Sequence, residues 1–290
     1  MTDPHPPGES RASDHGWRDD LRLLASSRTF LVGTGIVLFW IGSAIFGPSL
    51  VPYDPFADDL LNSLLPPSHE HWFGTDQLGR DVFSRVIVGA RDILTVAPLA
   101  TLLSTILGAA LGLIMGYFGG LLDEVLSRLV DAVLALPTVI VALLALTALG
   151  TSTVTVLLVI AFSFAPIIAR TVRSAVLTEV ALDYVAAAEL RRESTPYILF
   201  VEILPNVLPP ILVEATVRLG YAIFTVATLS FIGFGIQPPS PNWGLSISAN
   251  YGMIGGGFWW TVLFDCAAIA SLVVGINLVA DGIESALHDR

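Results

Sequence analysis

Residues Ala132 to Ala169 read AVLALPTVIVALLALTALGTSTVTVLLVIAFSFAPIIA, 38 residues without a charged side chain. As one helix this run would be roughly 57 Å long, nearly twice a hydrocarbon core of about 30 Å. One crossing cannot hold it. It divides into two helices, and Gly150-Thr151-Ser152-Thr153 supplies the turn between them. A chain that must fold a double crossing at its centre is a multi-spanning membrane protein.

The composition agrees. Of 290 residues, 54% are hydrophobic and 13% charged, against about 25% charged in a soluble domain. The net charge of −11 argues against nucleic acid as a partner. The single cysteine, Cys266, lies in an apolar run and excludes a disulfide framework. Met1 to Arg28 is polar and lacks the apolar core of a cleavable signal peptide, so the first apolar run is expected to act as an uncleaved anchor.

Working outward, six spans are expected: 30–51, 95–118 (within 93–122), 132–149, 153–169, 207–232 and 258–280. Prolines 98, 137, 166, 209 and 210 fall within them, which membrane helices tolerate where neighbouring groups satisfy the freed carbonyls. An even number of spans puts both termini on one side. With the N-terminus inside, ten arginines are cytoplasmic (11, 18, 22, 28, 128, 170, 173, 191, 192 and 290) and three are outside (80, 85 and 91). That bias favours cytoplasmic termini. The expected organisation is a cytoplasmic segment 1–29, a first span 30–51, an outer loop 52–92, and a core 93–282 of five spans carrying a cytoplasmic loop 171–206. A tail, 283–290, follows.

The cytoplasmic loop is expected to be helix, break, helix. Ser174 to Leu190 holds few breakers and alanines at 175, 181, 186, 187 and 188. Arg191 to Ser194 make the break. Thr195 suits an N-cap and Pro196 a first helical position, and Pro205 is expected to turn the chain into the fifth span. Small side chains on the first helix let another surface approach closely.

Here the residues resemble a known family. Tyr184-Val185, Ala187-Ala188, Ser194, Ile198 and Leu204-Pro205-Asn206 are similar to the "EAA" loop of ABC importer permeases, which docks on a cytoplasmic ATPase. Two positions depart from the pattern: Arg192 stands where glycine is usual and Glu202 where histidine is frequent. His71 to Arg85, reading HWFGTDQLGRDVFSR, with Gly89-Ala90-Arg91 after it, resembles the "GTDxxGRDVxSR" segment of the peptide and nickel branch. Leu229 to Pro239 with Asn242-Trp243-Gly244 resembles its "LSFLGLGVQPPxPxWG" segment, and Asn277-Leu278 with Asp281-Gly282 its C-terminal end.

The resemblance implies an all-α, type I permease fold with six transmembrane helices, the second permease subunit of a dipeptide or oligopeptide importer. It further implies a homologous permease as heterodimer partner, two ATPase subunits or domains, an extracytoplasmic substrate-binding protein, and a bacterial cell membrane. ATP and Mg would sit on the ATPase partners and no cofactor on this chain, which has no P-loop and no enzyme activity of its own. Nickel or haem remains an alternative cargo. A secondary transporter would predict inverted repeats, and none is seen.

The resemblance assigns Tyr184, Val185, Ala187, Ala188, Arg192, Ser194 and Pro205 to ATPase coupling. It suggests Gly74, Asp76, Gly79, Arg80, Asp81, Gln237, Pro238, Pro239 and Trp243 for an outer gate or docking surface. The prolines at 238, 239 and 241 are expected to hold that stretch stiff and extended. Three ionisable residues at membrane depth are candidates for the translocation path. Glu214 and Arg218 lie four apart on one helix face, acid before base, the favourable order. Asp265 stands alone in the sixth span. Each has a structural alternative: a pair that locks helices together, and an acid exposed at the interface. His69-Glu70-His71 suits a metal less well than a surface loop.

Overall fold

A computed structural model describes residues 27–288 of the chain. The first 26 residues, with the arginines at 11, 18 and 22 of the expected cytoplasmic segment, and Arg290 lie outside the described residues. The described chain is helical, and its helices are α1 (Arg28–Leu50), α2 (Val82–Phe118), α3 (Gly120–Leu134), α4 (Thr138–Leu149), α5 (Thr153–Val180), α6 (Asp183–Leu190), α7 (Thr195–Ile232), α8 (Trp243–Asn250) and α9 (Trp260–His288). Five of them are long and apolar enough to cross a membrane alone, and the α3–α4 pair makes a sixth candidate crossing, bent by 87°.

The bend corrects the expectation of one helix over 132–149. Pro137 has no N–H and pushes Leu136 out of helical conformation, so the chain turns between Leu134 and Thr138. α3 bears Asp123, Glu124, Arg128 and Asp131, and two of these acids tie it to α5. Arg173 makes a two-point bond to Asp123 at 2.5 and 2.6 Å, and Arg170 pairs with Asp131. α4 alone, twelve residues, reaches only about 18 Å.

Three further boundaries differ from expectation. α2 starts at Val82, well before residue 95, because Asp81 caps it by accepting from the Ser84 N–H at 2.8 Å. α5 runs unbroken from Ser152, its N-cap, to Val180, so the first half of the expected loop helix is the end of a span. And Pro205 turns nothing: α7 is continuous from Thr195, with Ile198–Ile203 wound as π-helix. There the Leu204 N–H reaches back to the Leu199 carbonyl, one residue before the proline that has no N–H to give. Ser194, not Thr195, is the N-cap residue of this helix.

The tightest seam joins α2 to α5. Gly108, Gly112 and Gly116 are one turn apart on α2. A β-carbon on any of them would come within 2.7 Å of Ile168, Val172 or Val176 respectively. Hydrocarbon supplies little drive to press helices together, so close backbone approach at small residues does the work. The core has two parts. One fills the centre and the half toward the α2 N-terminus with Trp40, Ile93, Ile160, Ile223, Trp243 and Leu272 among others. The other lies at the opposite end, around α6, where Leu113, Ile168, Val172, Val176, Val185, Ala188, Ile198 and Ile203 meet.

Candidate functional site

The chemistry-bearing residues fall into three zones: the loop between α5 and α7, the middle of α7, and a cap at the N-terminal end of α2.

In the loop, α6 lays Val185 and Ala188 onto the second part of the core, at 1% and 0% exposure, while Ala186 and Ala187 face outward. Leu190 beside them is 85% exposed. Tyr184 fastens the two arms of the loop. Its hydroxyl donates to Glu179 Oε2 at 2.7 Å and accepts from Asn206 Nδ2 at 3.1 Å. Burial first, and then the bond to Glu179, push the Tyr184 phenol up to about 12, so it keeps the proton it donates. Asn206 also donates to the Glu202 carbonyl, and the Glu202 carboxylate takes Arg191 at 3.0 Å. The unusual acid at 202 thus serves as Arg191's partner.

The break after α6 is a Schellman turn. The Glu193 N–H reaches the Ala188 carbonyl at 3.2 Å and the Arg192 N–H reaches Glu189 at 2.9 Å. That geometry needs a left-handed residue, and Arg192 has φ +57. The turn is therefore the one glycine would make, built with arginine. Arg192→Gly should raise the melting temperature, by a stabilisation of about 1 kcal/mol. A melting temperature unchanged or lowered would mean that contacts of the Arg192 side chain hold the turn. Ser194 and Pro205, the remaining loop residues singled out from sequence, are both exposed.

In α7, Arg218 Nε donates to Glu214 Oε1 at 2.6 Å, and the guanidinium lies 4.9 Å from the centre of the Tyr221 ring. Both charged side chains are partly covered, at 18% and 15% exposure. Arg218 and Tyr221 line a 240 Å³ cleft with Thr138 and Val139 of α4 and Phe164 and Ile167 of α5. The pair therefore opens toward the bent crossing.

Asp265 does not join them. It sits near the N-terminal end of α9, 2% exposed, with Oδ1 unpaired, and the charges it interacts with are Arg85 and Asp76. The expected alternative of exposure at the interface does not hold either.

The cap holds the segment from Gly74 to Arg85. Thr75 and Asp81 form an antiparallel bridge closing a tight turn. Asp76 fills the turn: Oδ1 accepts from the Leu78 and Arg80 N–H groups, and Oδ2 takes the Arg80 guanidinium at 2.7 Å. Gly79 has φ +77, and a β-carbon there would lie 1.7 Å from the Asp59 carbonyl oxygen. Gly74 likewise has positive φ and lies against Trp260. Asp81 binds His71 Nδ1 at 2.9 Å; His71 is thus occupied by the cap, and the described residues contain no group of three metal-ligating side chains.

Arg85, which closes the segment resembling GTDxxGRDVxSR but is not among the candidate site residues, is the tie that holds the cap together. It is buried, and it donates to the Pro55 carbonyl at 2.8 Å, Ser246 Oγ at 3.3 Å and the Ser240 carbonyl at 3.5 Å. Trp243 is fully buried, donates to the Val86 carbonyl at 2.8 Å and packs edge-on against Trp40. Gly74, Asp76, Gly79, Asp81 and Trp243 are therefore internal supports, and Arg80 is mostly covered. Gln237, Pro238 and Pro239 are the exposed members of the proposed docking set. They do not run extended: Pro238–Pro239 is cis and the chain turns there.

Comparison with known proteins places this geometry. Residues 108–290 match the family described as "binding-protein-dependent transport system inner membrane component", and residues 17–67 match the "N-terminal TM domain of oligopeptide transport permease C". The chain is 38% identical to the dipeptide transport system permease protein DppC of Alkalihalophilus pseudofirmus, over 98% of this chain and 93% of that protein. It is 37% identical to the probable D,D-dipeptide transport system permease protein DdpC of Escherichia coli, over 92% and 90%. Against the oligopeptide transport system permease protein OppC of Bacillus subtilis it is 35% identical, over 94% and 90%. Among solved structures, a chain of the MetNI methionine ABC transporter in an inward-facing conformation shares the fold, with TM-score 0.58 and 21% identity over 70% of this chain and 96% of that one. A family match over more than half of its length, and relatives aligned along nearly all of it, make this chain a member of the inner-membrane components of binding-protein-dependent transport systems, the multi-pass permeases of ABC importers.

Proposed function

We propose that this chain is one of two permease subunits of an ATP-driven importer of dipeptides or oligopeptides, with both termini cytoplasmic. The observation that carries the reading is the cytoplasmic loop. α6 is anchored by Val185 and Ala188, braced by Tyr184 and Asn206, and presents Ala186, Ala187 and Leu190 outward beyond the end of a span. Such a projection serves to receive a soluble partner, and a P-loop ATPase is the partner that would drive a permease. ATP and Mg would sit on two ATPase subunits or domains. A second, homologous permease would complete the path, and an extracytoplasmic binding protein would deliver the cargo. Peptide cargo is preferred over nickel because the aligned relatives are named for dipeptides and oligopeptides. The exposed Gln237, Pro238 and Pro239 are the part of the outer face left for the binding protein.

Glu214 and Arg218 are assigned to the path, where a partly covered pair of opposite charges suits the two termini of a peptide. Glu214→Gln is expected to lower transport at least tenfold while the amount of protein in the membrane stays unchanged. Equal loss of both would make the pair a structural tie. The reading as a whole is tested by affinity purification from native membranes followed by mass spectrometry. It expects a second permease and P-loop ATPases in the eluate. A chain recovered alone and transporting in liposomes without ATP would overturn it.

A further inference from the structure

Arg91 stands on α2 just before its charge-free apolar stretch, exposed, with no carboxylate in ion-pair contact among the described residues. Arg80, Arg85, Arg128, Arg170, Arg173, Arg191 and Arg218 each have one within 4 Å. At the edge of an apolar span an unpaired arginine reaches for the interface, so its surroundings decide what answers it. Nine residues of helix separate it from Val82, about 14 Å along the axis. Two clefts meet at its side chain. The one nearer the α2 N-terminus, 670 Å³, is polar at its mouth, with Tyr53, Asp54 and Asp92. The deeper one, 600 Å³, is walled by Val37, Ile41 and Ile45 of α1 and Leu94 and Pro98 of α2. Below it the same face of α2 continues apolar and exposed through Leu99, Leu102 and Ile106.

From the α2 N-terminus along the helix, flanking carboxylates, cation and apolar trough follow one another in the order of amine, phosphate and acyl chain. The carboxylates retain capacity: Asp54 Oδ1 accepts only from the Phe56 N–H, and Asp92 Oδ2 takes the Ser240 hydroxyl. With two acids beside one arginine, a purely anionic headgroup would be repelled. We propose that these joined clefts bind a zwitterionic, amine-bearing phospholipid of the phosphatidylethanolamine type, in the leaflet on the side of the α2 N-terminus. The phosphate lies on Arg91, the ammonium on Asp54 and Asp92, and an acyl chain along Ile41, Ile45 and Leu94.

The test uses the intact complex in nanodiscs of equal phosphatidylethanolamine and phosphatidylglycerol, with retained lipid measured by native mass spectrometry. The wild type should retain the ethanolamine lipid at least fivefold over the glycerol lipid, a readout that needs no variant. Arg91→Gln should lower that retention about tenfold. Ile41→Trp should do the same with Arg91 intact, by filling the trough, and Asp54→Asn should bring the preference near unity. Equal retention of both lipids by the wild type would overturn the proposal. So would undiminished retention in Arg91→Gln, or release of a second permease by that variant with retained lipid unchanged, which would mark the face as a subunit contact.

Discussion

Arg85→Leu is expected to destabilise the outer cap by about 3–5 kcal/mol, the scale for removing one partner from a buried charged network. Leucine keeps much of the volume and none of the donors. The Pro55 and Ser240 carbonyls and Ser246 Oγ lose a shared donor. Asp76 and Asp265, both buried, lose the cation between them. Arg85→Lys should fall between, because one ammonium can replace the charge but cannot reach three acceptors in the fork geometry of a guanidinium. Thermal melting of the detergent-solubilised chain reads the effect, with Gln237→Ala as an exposed control that should melt like the wild type. A melting temperature for Arg85→Leu that matched the control would mean the cap is held by the Asp76–Arg80 turn alone.

The second large effect is expected at Ala187. Ala187→Trp places a bulky ring on the outward face of α6 without entering the core, so folding and membrane level should stay at wild type while ATPase co-purification falls more than tenfold. Ala188→Trp is the contrasting variant. Its side chain points into the cluster of Val172, Val176, Val185, Ile198 and Ile203, and overpacking there costs about 1–3 kcal/mol or more. It should lower the melting temperature as well. Normal ATPase recovery with Ala187→Trp would remove that face from the interface.

The contrast between these neighbouring alanines marks what sequence can and cannot supply. Hydropathy places the spans because each must be predominantly apolar for the width of a bilayer, and that property belongs to contiguous residues. The phase of α6 depends on where the helix starts. The break at Ala181–Leu182 carries no proline or glycine to announce it, so Ala187 and Ala188 look alike until Asp183 is seen to begin a new helix. Arg85 is opaque for a different reason: its three partners are 30, 155 and 161 residues away. Asp265 reads as isolated for the same cause. Arg192 is the reverse case. Its departure from glycine is visible in the chain, and the left-handed turn that arginine strains is nonetheless formed.

The glycine seam between α2 and α5 bears on how force travels. Gly108, Gly112 and Gly116 bring the two helices so close that neither can slip past the other without a β-carbon or a carbonyl colliding. α5 passes from Thr153 to Val180 without a break and ends one residue short of the turn into α6. A push delivered at α6 therefore meets a stiff pair of helices, and the irregular points lie in the helices packed beside it: the bend at Pro137 and the π-wound turn at Ile198–Ile203.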